Sequence, residues 1–366
     1  MGMFLSVVAG QGGIKVPGAP GTLSLSAGTP RDTVIDLSWS APSDTGGGTI
    51  SGYQIKMGGS IIVADTGSTG TTYSKTGLTG NTTYNFNVAA INESGAGADG
   101  NTPSLATHVA FPVATGGTIT THGNYKAHTF TATGSLIFST GGSVNVLSIA
   151  GGGGSSTRAA GGAGGMQTQS ATAAVTTYTV TIGAGGSGNL QGSDTTLDGA
   201  LAFSTASEGG GKYQGDGGSG GGGGGSPGSA TAGQGNDGGA ESINSGSYIG
   251  GGGGGKGSAG GNAVWVGYGG TTGTGGDGAT NDYRLGSNET FAGGGSGGSQ
   301  TTAPYVGTAG AAGSGGGGTG TSKSFSGTVS GGTSGTANTG GGAGSSIGTS
   351  NTNGGSGRVT VRYEYQ

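Results

Sequence analysis

The sequence predicts an all-β protein in which a two-sheet sandwich is followed by a β-framed, glycine-rich domain. Between residues 17 and 109, short apolar runs alternate with polar residues, as half-buried strands do. Clusters of turn residues, such as the one at 42–48, separate these runs. Farther along, glycine becomes the main residue type, and 74 of the 100 glycines lie after residue 150.

Length and charge exclude several classes of function. A chain of 366 residues predicts two or three domains. Charged residues make up 8% of the chain and its net charge is −4, so we expect neither a nucleic-acid-binding surface nor a polybasic membrane patch. No apolar run is long enough to span a bilayer, and we expect no membrane insertion. The absence of cysteine excludes disulfides and thiolate metal sites.

Residues 1–16 are predicted to form an N-terminal arm. The segment Met3–Ala9 is apolar but short, and no lysine or arginine precedes it. A secretory signal carries that positive flank and a longer apolar core. A docking arm or a first edge strand is therefore the preferred interpretation.

Residues 17–112 are predicted to be a small β-sandwich, because short strands with regular turns are typical of that architecture. The predicted strands contain Leu23 and Leu25, Val34–Trp39, Tyr53 and Ile55, Ile61–Val63, and Thr82–Asn92. In the last of these, Tyr84, Phe86, Val88 and Ala90 are expected to point inward.

This segment resembles a fibronectin type III domain. The resemblance rests on Leu37–Pro42, Ile50–Tyr53 and above all Leu78–Asn92. It implies that Trp39 is the core tryptophan and that Tyr84 is a corner tyrosine whose hydroxyl bonds to nearby backbone. It also implies a spacer or binding module without catalysis.

Residues 113–366 are predicted to be one glycine-rich domain, with a β frame at 116–208 and 355–366. The predicted frame strands are Tyr125–Phe138, Val144–Ala150, Thr177–Ile182 and Arg358–Tyr365. In the last strand, Val359, Val361, Tyr363 and Tyr365 alternate with polar residues. We expect the N- and C-terminal frame strands to pair in a common sheet.

The glycine runs at about 209–354 have two possible structures. One is disorder, the default for an aperiodic glycine-rich composition. The other is a bundle of polyglycine II helices, extended and with three residues per turn, whose backbones approach until they hydrogen-bond to each other. The bundle is favoured because strand-like segments bracket the runs.

The second half of the chain resembles the glycine-rich domain of bacteriophage tail and fibre proteins, and a related domain in receptors of the anaplastic-lymphoma-kinase type. The pieces that carry this resemblance are 116–120, 128–134, 144–154, 178–186 and 354–363. It implies a β frame that carries a glycine-helix bundle. Some phage tip adhesins use a comparable bundle to present recognition loops.

No group of residues predicts catalysis, so we expect no enzyme activity, no cofactor and no metal site. Gly250–Lys256 nearly matches a phosphate-binding loop, but Gly257 stands where the magnesium-binding Ser or Thr belongs. His108, His122 and His128 lie near the domain junction without carboxylates at ligand spacing, and are interpreted as strand or linker histidines.

Aromatic residues fall between the glycine runs after residue 240. They are Tyr248, Trp265, Tyr268, Tyr283, Phe291, Tyr305 and Phe325, with Arg284 beside Tyr283. They either pad the bundle or sit on exposed turns and contact a receptor. Segments 256–272 and 277–292 are the preferred recognition segments.

These observations favour a non-enzymatic virion protein of a phage tail tip or fibre that helps attachment to the host. Expected partners are other tail proteins, a host-surface glycan or outer-surface protein, and further copies of the chain. The alternatives are a purely structural fibre or decoration spacer, and a bacterial surface adhesin.

Overall fold

A computed structural model of the chain describes residues 13–301, 305–322, 331–346 and 352–365. It divides into two compact units, Met1–Ala110 and Phe111–Gln366. Among the described residues the regular structure is β apart from one turn of 3₁₀ helix at Gly199–Leu201, which confirms the all-β prediction. No helix in these ranges is long and apolar enough to cross a membrane. The predicted arm segment Met3–Ala9 lies outside the described residues.

The first unit is a two-sheet sandwich. Its strands are β1 (Ser24–Ala27), β2 (Ile35–Ser38), β3 (Gly52–Met57), β4 (Ser60–Val63), β5 (Thr72–Lys75), β6 (Thr83–Asn92), β7 (Gly95–Asp99) and β8 (Ser104–Ala106). One sheet has the order β1-β2-β5, and the other has the order β4-β3-β6-β7, with β8 also paired to β6. All pairs are antiparallel, so one face of each sheet can be buried against the other.

Trp39 lies in the core of this sandwich, and Tyr84 is hydrogen-bonded to the backbone just before strand β6. Trp39 is 5% exposed and meets the ring of Tyr53 edge-on, with centroids 5.1 Å apart. The backbone N–H of Thr79 donates to the Tyr84 hydroxyl oxygen at 3.0 Å, which is the geometry of a tyrosine corner. The same hydrogen bond lowers the pKa of Tyr84.

Two sheets frame the second unit. Eight of their strands follow one another in the chain: β9 (Val113–Thr115), β10 (Thr118–His122), β11 (Tyr125–Phe130), β12 (Gly134–Thr140), β13 (Gly142–Ile149), β14 (Met166–Ala173), β15 (Thr177–Thr181) and β16 (Thr196–Leu197). The last frame strand is β25 (Arg358–Glu364), and the eight short strands that precede it in the chain are described below. The sheet orders are β10-β11-β25-β13-β14 and β16-β15-β12-β9. The prediction that N- and C-terminal frame strands pair is confirmed, because β25 lies between β11 and β13.

Within the frame, one predicted strand is divided in two and one polar strand face is buried. The predicted strand Tyr125–Phe138 is two strands, β11 and β12, which belong to different sheets. The polar face of β25 is not solvated, since Thr360 is fully buried and the side chains of Arg358 and Arg362 are 12% exposed. Strand β25 is therefore covered on both faces, which alternation alone does not reveal.

The glycine segments hydrogen-bond with a period of three residues. The backbone N–H groups of residues 150–155 donate, one after another, to carbonyl oxygens of three neighbouring segments. These segments are 162–165, 190–193 and 352–355, and every third N–H group donates to the same segment. The pairs are Ala150 to Gly165, Gly151 to Ser193, Gly152 to Gly355, Gly153 to Gly162, Gly154 to Leu190 and Ser155 to Thr352. This is the period expected of an extended helix with three residues per turn that is surrounded by neighbours.

Packing between these segments leaves no room for side chains. A Cβ added to Gly153 would lie 2.1 Å from the carbonyl oxygen of Gly211, and one added to Gly253 would lie 2.0 Å from that of Gly161. Backbone hydrogen bonding thus replaces the side-chain burial that glycine lacks. The hydrogen-bonded segments include 150–165 and 183–193, which the sequence assigned to the frame.

Short strands interrupt the glycine runs. They are β17 (Ser242–Asn244), β18 (Ser247–Ile249), β19 (Val264–Val266), β20 (Gly269–Thr271), β21 (Ala279–Asn281), β22 (Glu289–Phe291), β23 (Ser299–Gln300) and β24 (Val306–Thr308). They form the small sheets β17-β18-β23, β19-β20-β24 and β21-β22. Those aromatic residues between the runs that fall within the described ranges lie on or beside these strands.

Candidate ligand-binding site

Among the described residues of the glycine-rich unit, the most exposed aromatic side chain lies on a tight hairpin. Val266 pairs with Gly269, so the turn between β19 and β20 contains only Gly267 and Tyr268. Gly267 has φ +59° at the first central position, as a type II′ turn requires. Tyr268 occupies the second central position and is 71% exposed.

Trp265, Tyr268 and Tyr305 form an aromatic cluster. The rings of Trp265 and Tyr305 meet edge-on at a centroid distance of 5.4 Å, and those of Tyr268 and Tyr305 lie 6.0 Å apart. The indole N–H of Trp265 donates to the carbonyl oxygen of Ser242 at 3.3 Å. Strand β24 brings Tyr305 to the cluster by pairing in parallel with β20, although 37 residues separate Tyr268 from Tyr305 in the chain.

Apolar side chains surround the aromatic cluster. Val264, Val266 and Val306 are 53%, 77% and 40% exposed. Strands β19, β20 and β24 contain no charged residue. A ligand at this surface would be held by short-range apolar contacts and hydrogen bonds, because long-range attraction needs net charge nearby.

Tyr248 lies in a different environment from the aromatic cluster. It sits on β18 and is half-buried. The guanidinium of Arg158 lies 3.8 Å from its ring centroid, within the range of a cation–π contact. One face of Tyr248 is thus occupied within the protein.

Segment 277–292, one of the two predicted recognition segments, packs on the frame. Arg362 of β25 lies between the rings of Tyr125 and Tyr283, 4.6 and 4.2 Å from their centroids. Phe291 is 3% exposed in a core cluster with Ile149 and other buried residues, so it cannot contact a receptor directly. The position of Phe291 corrects the expectation of an exposed recognition residue: its large apolar area is buried against the frame.

An ion-pair network fixes the same segment. Arg284 donates to both carboxylate oxygens of Glu289, and this hydrogen bonding lowers the pKa of Glu289 and raises that of Arg284. Backbone carbonyls of the segment are held as well, since the Thr120 hydroxyl donates to Arg284 O at 2.8 Å. Tyr283 and Arg284 therefore serve a structural role here.

The sequence identified the aromatic cluster by residue type but missed its valines. The alternation Val264-Trp265-Val266 was the available signal, and it indicates an edge strand with one exposed apolar face. The remaining predicted aromatic, Phe325, lies outside the described residues. Within the described ranges, no three His, Cys, Asp or Glu side chains are grouped as metal ligands.

Comparison with family models gives a match within the first unit. A family model described as fibronectin type III domain matches residues 18–106. Exoglucanase B of Cellulomonas fimi is 39% identical over 72 residues, or 19% of this chain and 6% of that protein. Chitinase 63 of Streptomyces plicatus is 40% identical over 78 residues, or 21% of this chain and 12% of that protein. The chain thus spans a small part of either relative's length.

Solved structures also match part of the chain. Domains of titin match with 24% identity and a TM-score of 0.23, covering 25% of this chain and 32% of the titin chain. The sixth fibronectin type III domain of human fibronectin type III domain containing protein 3 matches with 24% identity and a TM-score of 0.23, covering 28% of this chain and 92% of that one. Residues 18–106 of this chain are a fibronectin type III domain.

Proposed function

We propose that this chain is a non-enzymatic virion protein of a phage tail tip or fibre, and that it attaches to the host surface through the aromatic cluster. The observation that carries the proposal is the exposure of Tyr268, at 71%, on a hairpin that also holds Trp265 and whose two aromatic rings contact Tyr305. Large aromatic side chains anchored on a rigid scaffold are typical of recognition surfaces. The other expected partners are tail proteins of the same virion.

The glycine bundle supports this role because it fixes the hairpins through backbone hydrogen bonds. On either side of β19 and β20 in the chain, the Gly252 N–H donates to the Gly261 carbonyl oxygen at 3.0 Å, and the Gly273 N–H donates to the Gly250 carbonyl oxygen at 2.8 Å. Such a scaffold holds the aromatic cluster in place before a ligand arrives, which lowers the entropy cost of binding. The fibronectin type III domain would act as a spacer or adhesion module.

The test is adsorption to cells of the host bacterium. Tyr268→Ala combined with Tyr305→Ala should reduce adsorption at least tenfold, since aromatic anchors cost about 2 kcal/mol or more when truncated. Ile61→Ala, at a 55% exposed position of the other unit, is the control and should leave adsorption unchanged. Unchanged adsorption by a well-folded double variant would remove the aromatic cluster from the binding site and favour the spacer alternative.

A bacterial surface adhesin is the second candidate. It is favoured by the similarity of part of this chain to parts of two bacterial proteins, from Cellulomonas fimi and Streptomyces plicatus. Mass spectrometry of purified phage particles separates the two candidates. Peptides of this chain in particles support the virion role, and peptides found only on bacterial surfaces support the adhesin.

A further inference from the structure

Trp265 lies between two small sheets. It pairs with Gly270 of β20, and its indole N–H donates to the Ser242 carbonyl oxygen of β17 at 3.3 Å. Ile249 of β18 is fully buried and approaches Gly270 from the same side as the indole. The side chain of Trp265 thus joins the sheet β19-β20-β24 to the sheet β17-β18-β23.

The indole ring of Trp265 packs directly on the backbone of Gly270. A Cβ added to Gly270 would lie 2.9 Å from Cε3 and 3.1 Å from Cζ3 of Trp265, and 2.9 Å from Cδ1 of Ile249. Carbon atoms prefer a separation of about 3.5–4.0 Å, so a side chain at position 270 would displace one of these groups. Because Ile249 is fully buried and Trp265 is half-buried, the indole is the group that is free to move.

The three rings of the aromatic cluster differ in exposure. Trp265 and Tyr305 are half-buried, whereas Tyr268 is 71% exposed. Ring contacts run from Trp265 to Tyr305, with centroids 5.4 Å apart, and from Tyr305 to Tyr268, with centroids 6.0 Å apart. Trp265 is therefore the base of the cluster, and a ligand that approaches from solvent meets the tyrosines.

We infer that Gly270 and Trp265 are positioning residues of the aromatic cluster. The bare backbone of Gly270 seats the indole, the indole fixes the ring of Tyr305, and Tyr305 holds Tyr268. This inference rests on the proposed attachment function, and it separates the tyrosines that contact the ligand from the residues that orient them. Rings that are already fixed lose little freedom when a ligand binds. A displaced indole would let both tyrosine rings move, which would weaken binding.

Gly269 provides a matched control for Gly270. The two glycines are neighbours on β20, and neither has a φ in the left-handed region. A Cβ on Gly269 would meet only the Val266 carbonyl oxygen, at 3.6 Å, which is an ordinary contact. Gly269→Ala and Gly270→Ala therefore make the same chemical change, but only Gly270→Ala crowds the indole.

The position of the indole can be measured in the full chain by ¹⁹F NMR. The sequence has two tryptophans, Trp39 and Trp265, so labelling with 5-fluorotryptophan gives two signals, and Trp265→Phe assigns them. Gly270→Ala should shift the Trp265 signal and leave the Trp39 signal in place, whereas Gly269→Ala should shift the Trp265 signal far less. An unchanged Trp265 signal in Gly270→Ala, or an equal shift in Gly269→Ala, would overturn the inference.

Adsorption to host cells tests whether the position of the indole matters for attachment. Gly270→Ala should reduce adsorption at least about twofold, the smallest change that directly contacting residues usually produce. Trp265→Ala should reduce adsorption at least as much. Adding Gly270→Ala to Trp265→Ala should cause no further loss, because Gly270 acts through the indole. A further loss in the double variant would show that Gly270 acts in another way.

Trp265→Phe is a second variant that leaves Gly270 unchanged. It keeps an aromatic ring but removes the N–H that bonds to the Ser242 carbonyl oxygen. We expect it to reduce adsorption less than Trp265→Ala does. If Trp265→Phe and Trp265→Ala both adsorb like the unaltered protein, the indole does not position the cluster.

This inference and the attachment function can fail separately. If Tyr268→Ala with Tyr305→Ala reduces adsorption, and Gly270→Ala shifts the Trp265 signal without changing adsorption, the tyrosines bind the host and the positioning role is wrong. If neither variant changes adsorption, the attachment function itself is wrong. Circular dichroism of each variant shows whether the fold is retained.

Discussion

The hydroxyl of Tyr363 donates a hydrogen bond to Nε2 of His128 over 2.9 Å in the interior of the frame. Nδ1 of His128 lies 2.7 Å from the carbonyl oxygen of Gly116, which can only accept, so Nδ1 carries the proton. The Ala114 N–H donates to the Tyr363 hydroxyl at 3.0 Å. This arrangement accommodates a neutral imidazole, and it joins β11 to the C-terminal strand β25.

The first prediction is that the glycine-rich unit becomes less stable as the pH is lowered, because His128 is protonated more readily in the unfolded chain. Burial lowers the pKa of His128, and Lys126 contributes in the same direction. The unfolded chain then binds a proton that the folded chain does not, so stability is full above the unfolded pKa of about 6.5 and is lost as pH falls below it. Urea unfolding between pH 5 and pH 8 measures the slope. A His128→Gln variant, which cannot titrate, should be less stable at pH 8 and show a weaker slope; an equal slope would contradict the assignment.

The second prediction concerns glycine packing. In Gly317→Val the new Cβ would lie 2.1 Å from the carbonyl oxygen of Gly294, whereas Gly225→Val meets nothing within 4 Å. Overpacking of this kind costs about 1–3 kcal/mol or more. Thermal unfolding should show a clear loss of Tm for Gly317→Val and little change for Gly225→Val. Equal Tm values for the two variants would mean that the segments are not closely packed.

The polyglycine II conformation of the runs remains a prediction, and amide hydrogen exchange tests it. Amides that donate between segments, such as those of Gly153 and Gly253, should exchange slowly. Rapid exchange throughout residues 209–344 would contradict an ordered bundle. The three-residue hydrogen-bond period is the observation that supports the prediction.

The third prediction is that Trp39 dominates the core of the fibronectin type III domain. Trp39→Ala should cost about 3–5 kcal/mol, through lost burial and the cavity left beside Tyr53. Ile61→Ala, at a 55% exposed position, should cost far less. Residues 15–112 expressed alone should fold, and chemical denaturation of that fragment gives both values. A near-neutral Trp39→Ala would refute the proposed core role.

The fourth prediction tests the covering role of segment 277–292. Arg362→Ala removes the guanidinium between Tyr125 and Tyr283 and its 3.3 Å contact with Asp282. We expect a loss of about 2–4 kcal/mol, because partly buried cation–π and ion-pair partners are left uncompensated. Arg31→Ala, at an exposed position, is the control. Hydrogen exchange should rise in residues 279–291, and unchanged exchange there would show that the segment is held by other contacts.

Acidification should loosen the same segment. Hydrogen bonding from Arg284 lowers the pKa of Glu289 in the folded protein. The contribution of Glu289 to stability is therefore complete above the unfolded pKa of about 4.3, and it is lost as pH falls through the lower pKa of the folded state. Glu289→Gln should remove this low-pH dependence. Hydrogen exchange of residues 279–291 near pH 3 and pH 6 measures it in both proteins. Since the pair is partly exposed, the effect should be small.

Much of the fold was determined by local sequence patterns. Alternation in Thr82–Asn92 predicted strand β6, and the apolar face of Arg358–Tyr365 predicted a frame strand, because each depends only on which neighbouring residues can be buried together. The residues around Trp39 and Tyr84 indicated the fibronectin type III domain from the sequence alone. Aromatic residues between glycine runs likewise identified Trp265, Tyr268 and Tyr305.

Tertiary structure alone decided which of these residues are exposed. Phe291 and Tyr268 occupy similar positions between glycine runs, yet one packs near Arg358 of β25 and the other stands in solvent. The reason is physical: glycine segments are positioned by backbone hydrogen bonds between distant residues, and those bonds leave no side-chain pattern in the sequence. Whether Arg362 faces water or two tyrosine rings therefore depends on contacts that only the folded chain contains.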